Sequence, residues 1–271
     1  MSAPSADALQ LPAAVADSVR ATGLSIRYGT RVALQPTDLS IAAGTVHGII
    51  GPAGSGKTSF LRTLNLMSVE LDGAVADGSL LIGGAEVLAG GVVLRDPSAL
   101  AQLRRRVGIV FATPQPLPRS IFENVAYGPR IAGVTDRAEL DATVERSLRA
   151  AQLWDEVADR LSLMATRLSG GQQQRLCLAR TLALNPSIVL LDEPCSGLDP
   201  ISTARIEETL RTLKSRITFV LVTNSIYQAE RVADDTSFFL MGERIETAPT
   251  AELFARASRQ ETQDYLNGRF G

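Results

Sequence analysis

Apolar and polar positions alternate along the first part of the chain, and this pattern predicts β-strands. The stretches LSIRYG and TDLSI alternate strictly enough to indicate half-buried strands. TVHGIIG is a continuous apolar run that ends in glycine, and a helix, SFLRTLNLM, is predicted from Ser59. GSLLIGG and VGIVF indicate further strands, with a short helix, ALAQLRRR, between them.

The middle of the chain changes to a helical period, most clearly in TDRAELDATVERSLRAAQLWDEVADRL. Apolar residues recur there at spacings of four, four and three, at Leu140, Val144, Leu148 and Ala151. Asp136, followed by Glu139 three positions later, is typical of a helix start. We therefore predict a mostly helical block over about residues 113–180, inserted between strands.

Strands return in the last third of the chain. SIVLLDEP and ITFVLVT are apolar runs, and the helical pattern ISTARIEETLRTLK lies between them. Strand–helix–strand order predicts a parallel sheet with crossover helices, and hence an α/β fold. The tail AELFARASRQETQDYLNGRFG predicts a helix with an irregular end. Residues 1–20 are rich in Ala, Ser and Pro and predict a flexible extension.

The composition is that of a globular protein, and the net charge argues against general binding to nucleic acid. The chain has 271 residues, of which 45% are hydrophobic, so it can bury a sizeable core. A net charge of −2 provides no general attraction to nucleic acid. The basic triplet at 104–106 is compatible with a solvated run or with a contact to an acidic partner.

The cysteines and the apolar runs indicate the compartment. Cys177 and Cys195 are isolated, which favours reduced thiols over a disulfide framework. No run approaches the roughly 18 apolar residues that a bilayer span requires. The start of the chain lacks the features of a signal peptide. We expect a soluble cytoplasmic protein that docks on other subunits.

The strongest chemical signal is GPAGSGKT, which matches the phosphate-binding loop pattern GxxxxGK[ST] between a strand and a helix. Glycines allow backbone N–H groups to turn inward as an anion nest at a helix N-terminus. Lys57 supplies a positive charge for phosphates, and Thr58 offers a hydroxyl to Mg²⁺. The predicted phosphate-binding residues are Gly51, Pro52, Ala53, Gly54, Ser55, Gly56, Lys57, Thr58 and Ser59.

A pair of acidic residues supports this prediction. The apolar strand IVLLDEP delivers Asp192 and Glu193 at its C-terminal end, where ligands bind in parallel sheets. Asp192 suits a carboxylate linked to Mg²⁺, and Glu193 suits a general base for an attacking water.

A third motif, LSGGQQQRLCLAR, begins at Leu168 and precedes the acidic pair. With it, the chain resembles the ATP-binding cassette (ABC) ATPases, whose signature sequence is LSGGQ. The resemblance implies that four residues face ATP held by a partner subunit: Ser169, Gly170, Gly171 and Gln172. It therefore implies a homodimer with ATP and Mg²⁺ enclosed between its subunits. It also implies the P-loop fold of ABC ATPases over residues 21–271, with a mixed sheet, an antiparallel β subdomain and an inserted helical subdomain.

Two further positions and several longer stretches extend the resemblance. Tyr28 lies where the family stacks an aromatic ring on adenine, and Asp199 in SGLD matches an acidic position at the dimer seam. RRRVGIVF, SIFENVAYGPRIAGV, LDEPCSGLDPISTARIEETL and TQDYLNGRFG are similar to the ATPase of bacterial phosphate-import ABC transporters. This similarity implies membrane permease subunits, a periplasmic solute-binding protein and a peripheral location on the cytoplasmic face of the plasma membrane.

Two positions depart from the family pattern. Ala112 stands where a glutamine is expected, and Asn224 where a histidine contacts the γ-phosphate. Gln115 is three residues further on, but the prolines beside it stiffen the backbone. The single histidine, His47, lies in a strand and is expected to be a buried strand residue. We predict intact nucleotide binding by a catalytic pair, Glu193 and Asn224, with slowed hydrolysis.

The sequence leaves three functional hypotheses open. The first is the ATP-hydrolysing subunit of an importer of inorganic phosphate. The alternatives are an ATP-dependent clamping or regulatory ABC subunit with little turnover, and an importer of another small solute. A cassette of this kind does not touch the transported solute, so its identity rests on resemblance.

Overall fold

The computed structural model describes residues 17–71 and 74–269. Most of the predicted N-terminal extension, residues 1–20, lies outside these ranges, and its last four residues belong to the first strand. The strands are β1 (Asp17–Tyr28), β2 (Arg31–Ala42), β3 (Val46–Ile50), β4 (Ala74–Ile82), β5 (Ala85–Ala89), β6 (Val92–Val93), β7 (Val107–Val110), β8 (Ile188–Asp192), β9 (Thr218–Val222), β10 (Asp235–Leu240) and β11 (Glu243–Pro249).

Helices separate most of these strands. They are α1 (Lys57–Thr63), α2 (Met67–Leu71), α3 (Pro97–Arg106), α4 (Ile121–Ile131), α5 (Arg137–Ala150), α6 (Trp154–Val157), α7 (Gly170–Leu182), α8 (Pro200–Leu213), α9 (Ile226–Val232), α10 (Thr250–Arg256) and α11 (Gln260–Leu266). A single 3₁₀ turn, Ala165–Arg167, precedes α7 in the described residues.

The strands form two sheets, as the α/β prediction requires. One sheet is antiparallel, in the order β2-β1-β4-β5-β6. The other has the order β11-β10-β3-β9-β8-β7, and all its pairs are parallel except β10 with β11. The predicted mixed sheet and antiparallel subdomain are both confirmed.

The central strands of the mixed sheet bring distant chain segments to one edge. Every residue of β3, β8 and β9 is buried, which explains their continuous apolar sequences. Because the three strands are parallel, their carboxyl ends meet at the same edge of the sheet. The segments that follow Ile50, Asp192 and Val222 therefore lie close together.

The helical block contains the predicted apolar stripe on α5. Leu140, Val144, Leu148 and Ala151 are at most 3% exposed. The side chain of Asp136 accepts a hydrogen bond from the backbone N–H of Glu139 at 3.0 Å, so the predicted helix start is confirmed.

One prediction for this block is wrong in detail. The sequence pattern suggested one helical stretch from Thr135 to Leu161, but α5 ends at Ala150 and the short α6 begins at Trp154. Gln152 has φ of 55°, a left-handed conformation that cannot continue an α-helix. The chain therefore leaves the helix here, and α6 is a separate short helix.

The buried side chains form three apolar clusters. One lies between the two sheets, a second of similar size lies under the helical block, and a small third one contains Ile50 and Phe238. Within 17–71 and 74–269, the helices are too short and too polar to cross a bilayer. Cys177 and Cys195 are free thiols.

Candidate nucleotide-binding site

The phosphate loop begins where β3 ends, and two of its glycines are required by close packing. Gly51 has φ of 148°, and a Cβ there would lie 2.0 Å from the carbonyl oxygen of Phe239. Gly56, at φ of 96°, is the N-cap of α1, and a Cβ there would lie 2.5 Å from the carbonyl oxygen of Ala33. Any other residue at either position would displace the loop from the sheet.

The side chain of Lys57 is hydrogen-bonded to the backbone of its own loop. Its Nζ donates to the carbonyl oxygens of Gly51 at 2.7 Å and Pro52 at 2.8 Å, and it lies 3.5 Å from the hydroxyl of Ser55. Burial lowers the pKa of Lys57, while the nearby carboxylates of Glu193 and Asp192 raise it. Lys57 is only 5% exposed, and its ammonium group contacts the loop carbonyls with acidic groups close by.

Thr58 and Asp192 meet, although 134 positions separate them. The hydroxyl of Thr58 donates to Oδ1 of Asp192 at 2.9 Å, and Nη2 of Arg62 lies 3.1 Å from Oδ2. Asp192 is buried, and Arg62 is partly exposed. Arg62 was not predicted as a site residue, but its position four residues after Thr58 places both side chains on one face of α1.

A cavity of about 250 Å³ brings most of the predicted nucleotide-binding residues together. It is lined by Tyr28, Arg31, Ala33, Ala53, Gly54, Ser55, Gly56, Lys57, Thr58, Ser59 and Glu193. The aromatic residue at the end of β1, the phosphate loop and the acidic residue after β8 thus share one cavity. Arg31 and Ala33 of β2 were missed from the sequence, because strand position alone does not reveal which face a cavity occupies.

Glu193 adopts an unusual backbone conformation and contacts Asn224. Its φ is 51°, and its backbone N–H donates to the carbonyl of Val222 at 2.8 Å. Nδ2 of Asn224 donates to Oε1 of Glu193 at 2.6 Å. A second cavity, of about 370 Å³, is lined by Glu193, Asn224 and seven neighbouring residues. The carboxylate therefore lies between two cavities, with one of its oxygens held by the asparagine.

The segment after β7 supplies no polar side chain to the cavity. Ala112 is partly buried, and the guanidinium of Arg62 lies 5.7 Å from the ring centroid of the preceding Phe111. Gln115 is exposed, and its carbonyl accepts a hydrogen bond from Nη1 of Arg180 at 2.9 Å. Neither Ala112 nor Gln115 lines the cavity that contains Lys57.

The signature residues form a capped helix start away from this cavity. Ser169 caps α7: its hydroxyl accepts from the backbone N–H of Gln172 at 3.3 Å, and Oε1 of Gln172 accepts from the backbone N–H of Ser169 at 3.1 Å. Gly170 is exposed, and a Cβ there would meet nothing within 4 Å. None of these residues lines the cavity around Lys57.

Gly171, the second residue after the cap, is packed tightly. A Cβ on Gly171 would lie 2.1 Å from the hydroxyl oxygen of Ser202 on α8. Asp199 caps α8 and accepts from Ser202, from its N–H at 2.9 Å and its hydroxyl at 2.6 Å. These hydrogen bonds lower the pKa of Asp199. The signature helix and the SGLD segment therefore form one packed unit.

His47 is a buried strand residue, as expected. It is 2% exposed, and its Nε2 lies 2.8 Å from the hydroxyl of Ser237. Burial, together with the charge of Arg244, lowers its pKa to about 4. His47 does not line the cavity around Lys57.

Comparisons with known proteins identify the family and the fold. The family model of ABC transporters matches residues 34–196, more than half of the chain. CbiO1 from Clostridium perfringens, part of the ABC transporter complex CbiONQ, is 22% identical, with a TM-score of 0.77 over 94% of this chain and 97% of that one.

Two further solved structures are similar. An ATP-binding cassette, solved as a dimer in a post-hydrolysis state bound to ADP and Pi, is 26% identical, with a TM-score of 0.73 over 86% of this chain and 98% of that one. A bacterial Atm1-family ABC exporter with ATP bound is 26% identical, with a TM-score of 0.76 over 98% of this chain and 44% of that one. The chain therefore belongs to the ABC transporter family and is an ATP-binding domain of that family.

Proposed function

We propose that the chain is the ATP-binding and ATP-hydrolysing subunit of an ABC importer, with inorganic phosphate as the transported solute. One observation carries the enzymatic part of this proposal: the cavity that unites Tyr28, the phosphate loop and Glu193. Residues 21–271 act as one ATPase domain, and the block at about 113–180 is its inserted helical subdomain.

ATP occupies this cavity with its adenine against Tyr28 and its phosphates in the loop at 51–59. The loop N–H groups and the N-terminus of α1 favour negative charge. Lys57 donates to the carbonyls of Gly51 and Pro52, and it can replace these hydrogen bonds by hydrogen bonds to phosphate oxygens.

Thr58 and Asp192 would hold Mg²⁺. A hydroxyl and a carboxylate 2.9 Å apart are the hard oxygen donors that Mg²⁺ prefers, with phosphate oxygens and water completing the shell. Bound there, Mg²⁺ would neutralise charge on the β- and γ-phosphate oxygens. Arg62 pairs with the same carboxylate, so it must share or release Asp192 when the metal binds.

Glu193 would act as the general base for the attacking water, with Asn224 as its neighbour. The asparagine holds Oε1, so Oε2 is the oxygen left to orient a water. The methyl group of Ala112 offers no hydrogen bond to the water or the metal. Loss of one preorganised polar group costs about 10²- to 10³-fold in rate, so we propose slow hydrolysis.

Turnover of the purified chain tests the enzymatic proposal. We expect slow ATP hydrolysis that is abolished in Glu193→Gln and raised at least roughly ten-fold when Ala112→Gln and Asn224→His are combined. Lys57→Ala should remove ATP binding and serves as the control for the cavity. Hydrolysis that survives in Glu193→Gln, or no gain in the double variant, would contradict the assigned roles.

The signature residues support a homodimer. Ser169, Gly170 and Gln172 form a helix start that lies outside the cavity of their own subunit. Such a start binds anions, and we propose that it contacts ATP held by the partner subunit. ATP-dependent dimerisation of Glu193→Gln, measured by light scattering, should be lost when Ser169→Arg is added.

Large exposed apolar residues on the helical block support a membrane partner. Tyr127 is 41% exposed and Ile131 is 64% exposed, one turn apart on α4, and Met164 is 42% exposed. We propose that this surface docks on permease subunits at the cytoplasmic face of the plasma membrane, where a periplasmic solute-binding protein delivers solute from the other side. Replacing Ile131 by Ser should reduce co-purification with those subunits.

Phosphate as the solute is supported by the four stretches that are similar to phosphate-import ATPases. Phosphate uptake by vesicles that contain the complete transporter tests it. Uptake of another small solute in place of phosphate would support the importer function and contradict phosphate as the transported solute.

A clamping or regulatory subunit with little turnover is the second candidate. The hydrogen bond between Asn224 and Glu193 favours it, because that contact occupies half of the carboxylate. Tight ATP binding and dimerisation without measurable hydrolysis, in the presence of the membrane partner, would support this candidate over the first.

A further inference from the structure

Asn224 contacts Glu193 although the asparagine itself is exposed. Nδ2 of Asn224 donates to Oε1 of Glu193 at 2.6 Å, and the asparagine lies in the three-residue segment 223–225 between β9 and α9. Fixing an exposed side chain costs conformational entropy. The contact therefore depends on how firmly the backbone of segment 223–225 is held.

The hydroxyl of Thr223, directly before Asn224, is the centre of a small hydrogen-bond network. It donates to Oε1 of Gln228 at 2.8 Å and accepts from the backbone N–H of Ser225 at 3.0 Å. Thr223 and Gln228 are both buried, so water does not compete for the hydrogen bond between them. The network joins both neighbours of Asn224 to one glutamine on α9.

Further hydrogen bonds hold the two ends of the segment. The backbone N–H of Thr223 donates to the carbonyl of Ile49 in β3 at 3.2 Å. Ser225 caps α9, and the backbone N–H of Gln228 donates to its hydroxyl at 3.3 Å and to its carbonyl at 3.1 Å. One neighbour of Asn224 is thus bound to the sheet and the other to the helix.

The helix that carries Gln228 is itself firmly packed. Ala229, the next residue, is fully buried in the small apolar cluster that contains Ile50 and Phe238. Arg231 of α9 donates through two nitrogens to the carboxylate of Glu207 on α8, at 3.0 Å and 2.6 Å. The amide oxygen of Gln228 is therefore an acceptor on a well-anchored helix.

We propose that Gln228 is a positioning residue for the candidate catalytic pair: through the hydroxyl of Thr223, it holds the backbone at Asn224 so that Nδ2 reaches Glu193. This inference rests on the proposed catalytic role of that pair. Gln228 and Thr223 are not among the residues that line the cavity around Lys57, whereas both line the second cavity together with Asn224 and Glu193. Their loss should therefore affect the chemical step and leave ATP binding unchanged.

The side-chain amide signals of Asn224 in an NMR spectrum of the full chain test the proposal directly. Their absence in Asn224→Ala identifies them. Gln228→Met removes the acceptor, and Thr223→Val removes the donor with nearly the same shape. Both variants should shift the Asn224 signals toward those of an asparagine without a hydrogen bond. Thr223→Ser keeps the hydroxyl and should leave the signals in place.

Turnover gives a second readout. Loss of one hydrogen bond of ordinary strength predicts a fall in kcat of about three- to ten-fold in Gln228→Met and in Thr223→Val. The Kd for ATP, from isothermal titration calorimetry, should stay within about two-fold of the wild type. In an Asn224→Ala background, the same changes should have no further effect on kcat, because they act through that side chain.

Thr209→Val is the matched control for loss of a buried hydroxyl. Thr209 on α8 is fully buried, and its hydroxyl lies 3.1 Å from each of two backbone carbonyls. It does not line either cavity beside Glu193. Its removal should lower the stability of the protein and leave kcat and the Asn224 signals as in the wild type.

The outcomes separate this inference from the proposed function. Unchanged Asn224 signals in Gln228→Met or in Thr223→Val would overturn the inference, as would an equal shift in Thr223→Ser or in Thr209→Val. Either Gln228→Met or Thr223→Val is sufficient for this test if the other does not fold. If the signals shift but kcat does not fall, the positioning role of Gln228 holds, and the proposed catalytic role of Asn224 fails.

Discussion

Glu156 on α6 connects the signature helix to α8, and its neutralisation should destabilise the protein. Its carboxylate accepts from Arg175 at 2.7 Å and 3.1 Å through two separate nitrogens, and from Nε2 of Gln172 at 2.9 Å. Arg205 of α8 also pairs with it. The perturbation of choice is Glu156→Gln, which keeps the size of the side chain and removes its charge.

The expected loss of stability follows from how deeply Glu156 and its partner Arg175 are buried. The side chain of Arg175 is only 4% exposed, and its burial lowers its pKa, so its charge depends on a counter-ion. Breaking a fully buried ion pair costs about 3–5 kcal/mol. Glu156 is 25% exposed, and Arg175 keeps a hydrogen bond to the carbonyl of Gln152 at 2.5 Å, so we expect about 2–3 kcal/mol. At about 2–4 °C per kcal/mol, this lowers Tm by about 4–12 °C.

Calorimetry and urea unfolding of Glu156→Gln against the wild type would measure this loss. The matched control is Asp155→Asn on the neighbouring position of α6. Asp155 is 96% exposed and lies 3.7 Å from Arg149, so its ion pair is worth less than about 0.5 kcal/mol. Equal losses in the two variants, or a loss below about 0.5 kcal/mol in Glu156→Gln, would refute the reasoning.

Two further predictions concern packing and pH. Gly171→Ala should destabilise the protein by about 1–3 kcal/mol, because the new Cβ would lie 2.1 Å from the hydroxyl of Ser202. Gly170→Ala is the control and should cost little, because its Cβ would meet nothing within 4 Å. Urea unfolding of both variants measures the two losses of stability. The pKa of His47 is about 4 when folded, below its unfolded value near 6.5, so the unfolded chain takes up the proton first as the pH falls. The free energy of unfolding should therefore fall as the pH drops below 6.5, and His47 alone should account for a loss of about 2 kcal/mol between pH 7 and pH 5. His47→Gln should make the stability less dependent on pH in this range, as measured by thermal unfolding. An unchanged pH dependence in His47→Gln would contradict the burial argument.

The family resemblance implied the mixed and antiparallel sheets, whereas local periodicity and motif spacing predicted the α/β class and the helical block. These last two features depend on neighbours within a few residues, and the sequence displays those directly. The same applies to the phosphate loop, whose glycines, lysine and threonine occupy eight consecutive positions. The break at Gln152 was missed because a left-handed residue that is not glycine leaves no distinctive pattern.

Contacts between distant segments were decided by the tertiary structure alone. Arg62 reaches Asp192 across 130 positions, and Asn224 reaches Glu193 across 31. Each of these contacts depends on the register of the parallel strands and on the packing of helices over the sheet. Single-sequence patterns fix which elements form, whereas the long-range packing of those elements fixes which side chains meet at their ends.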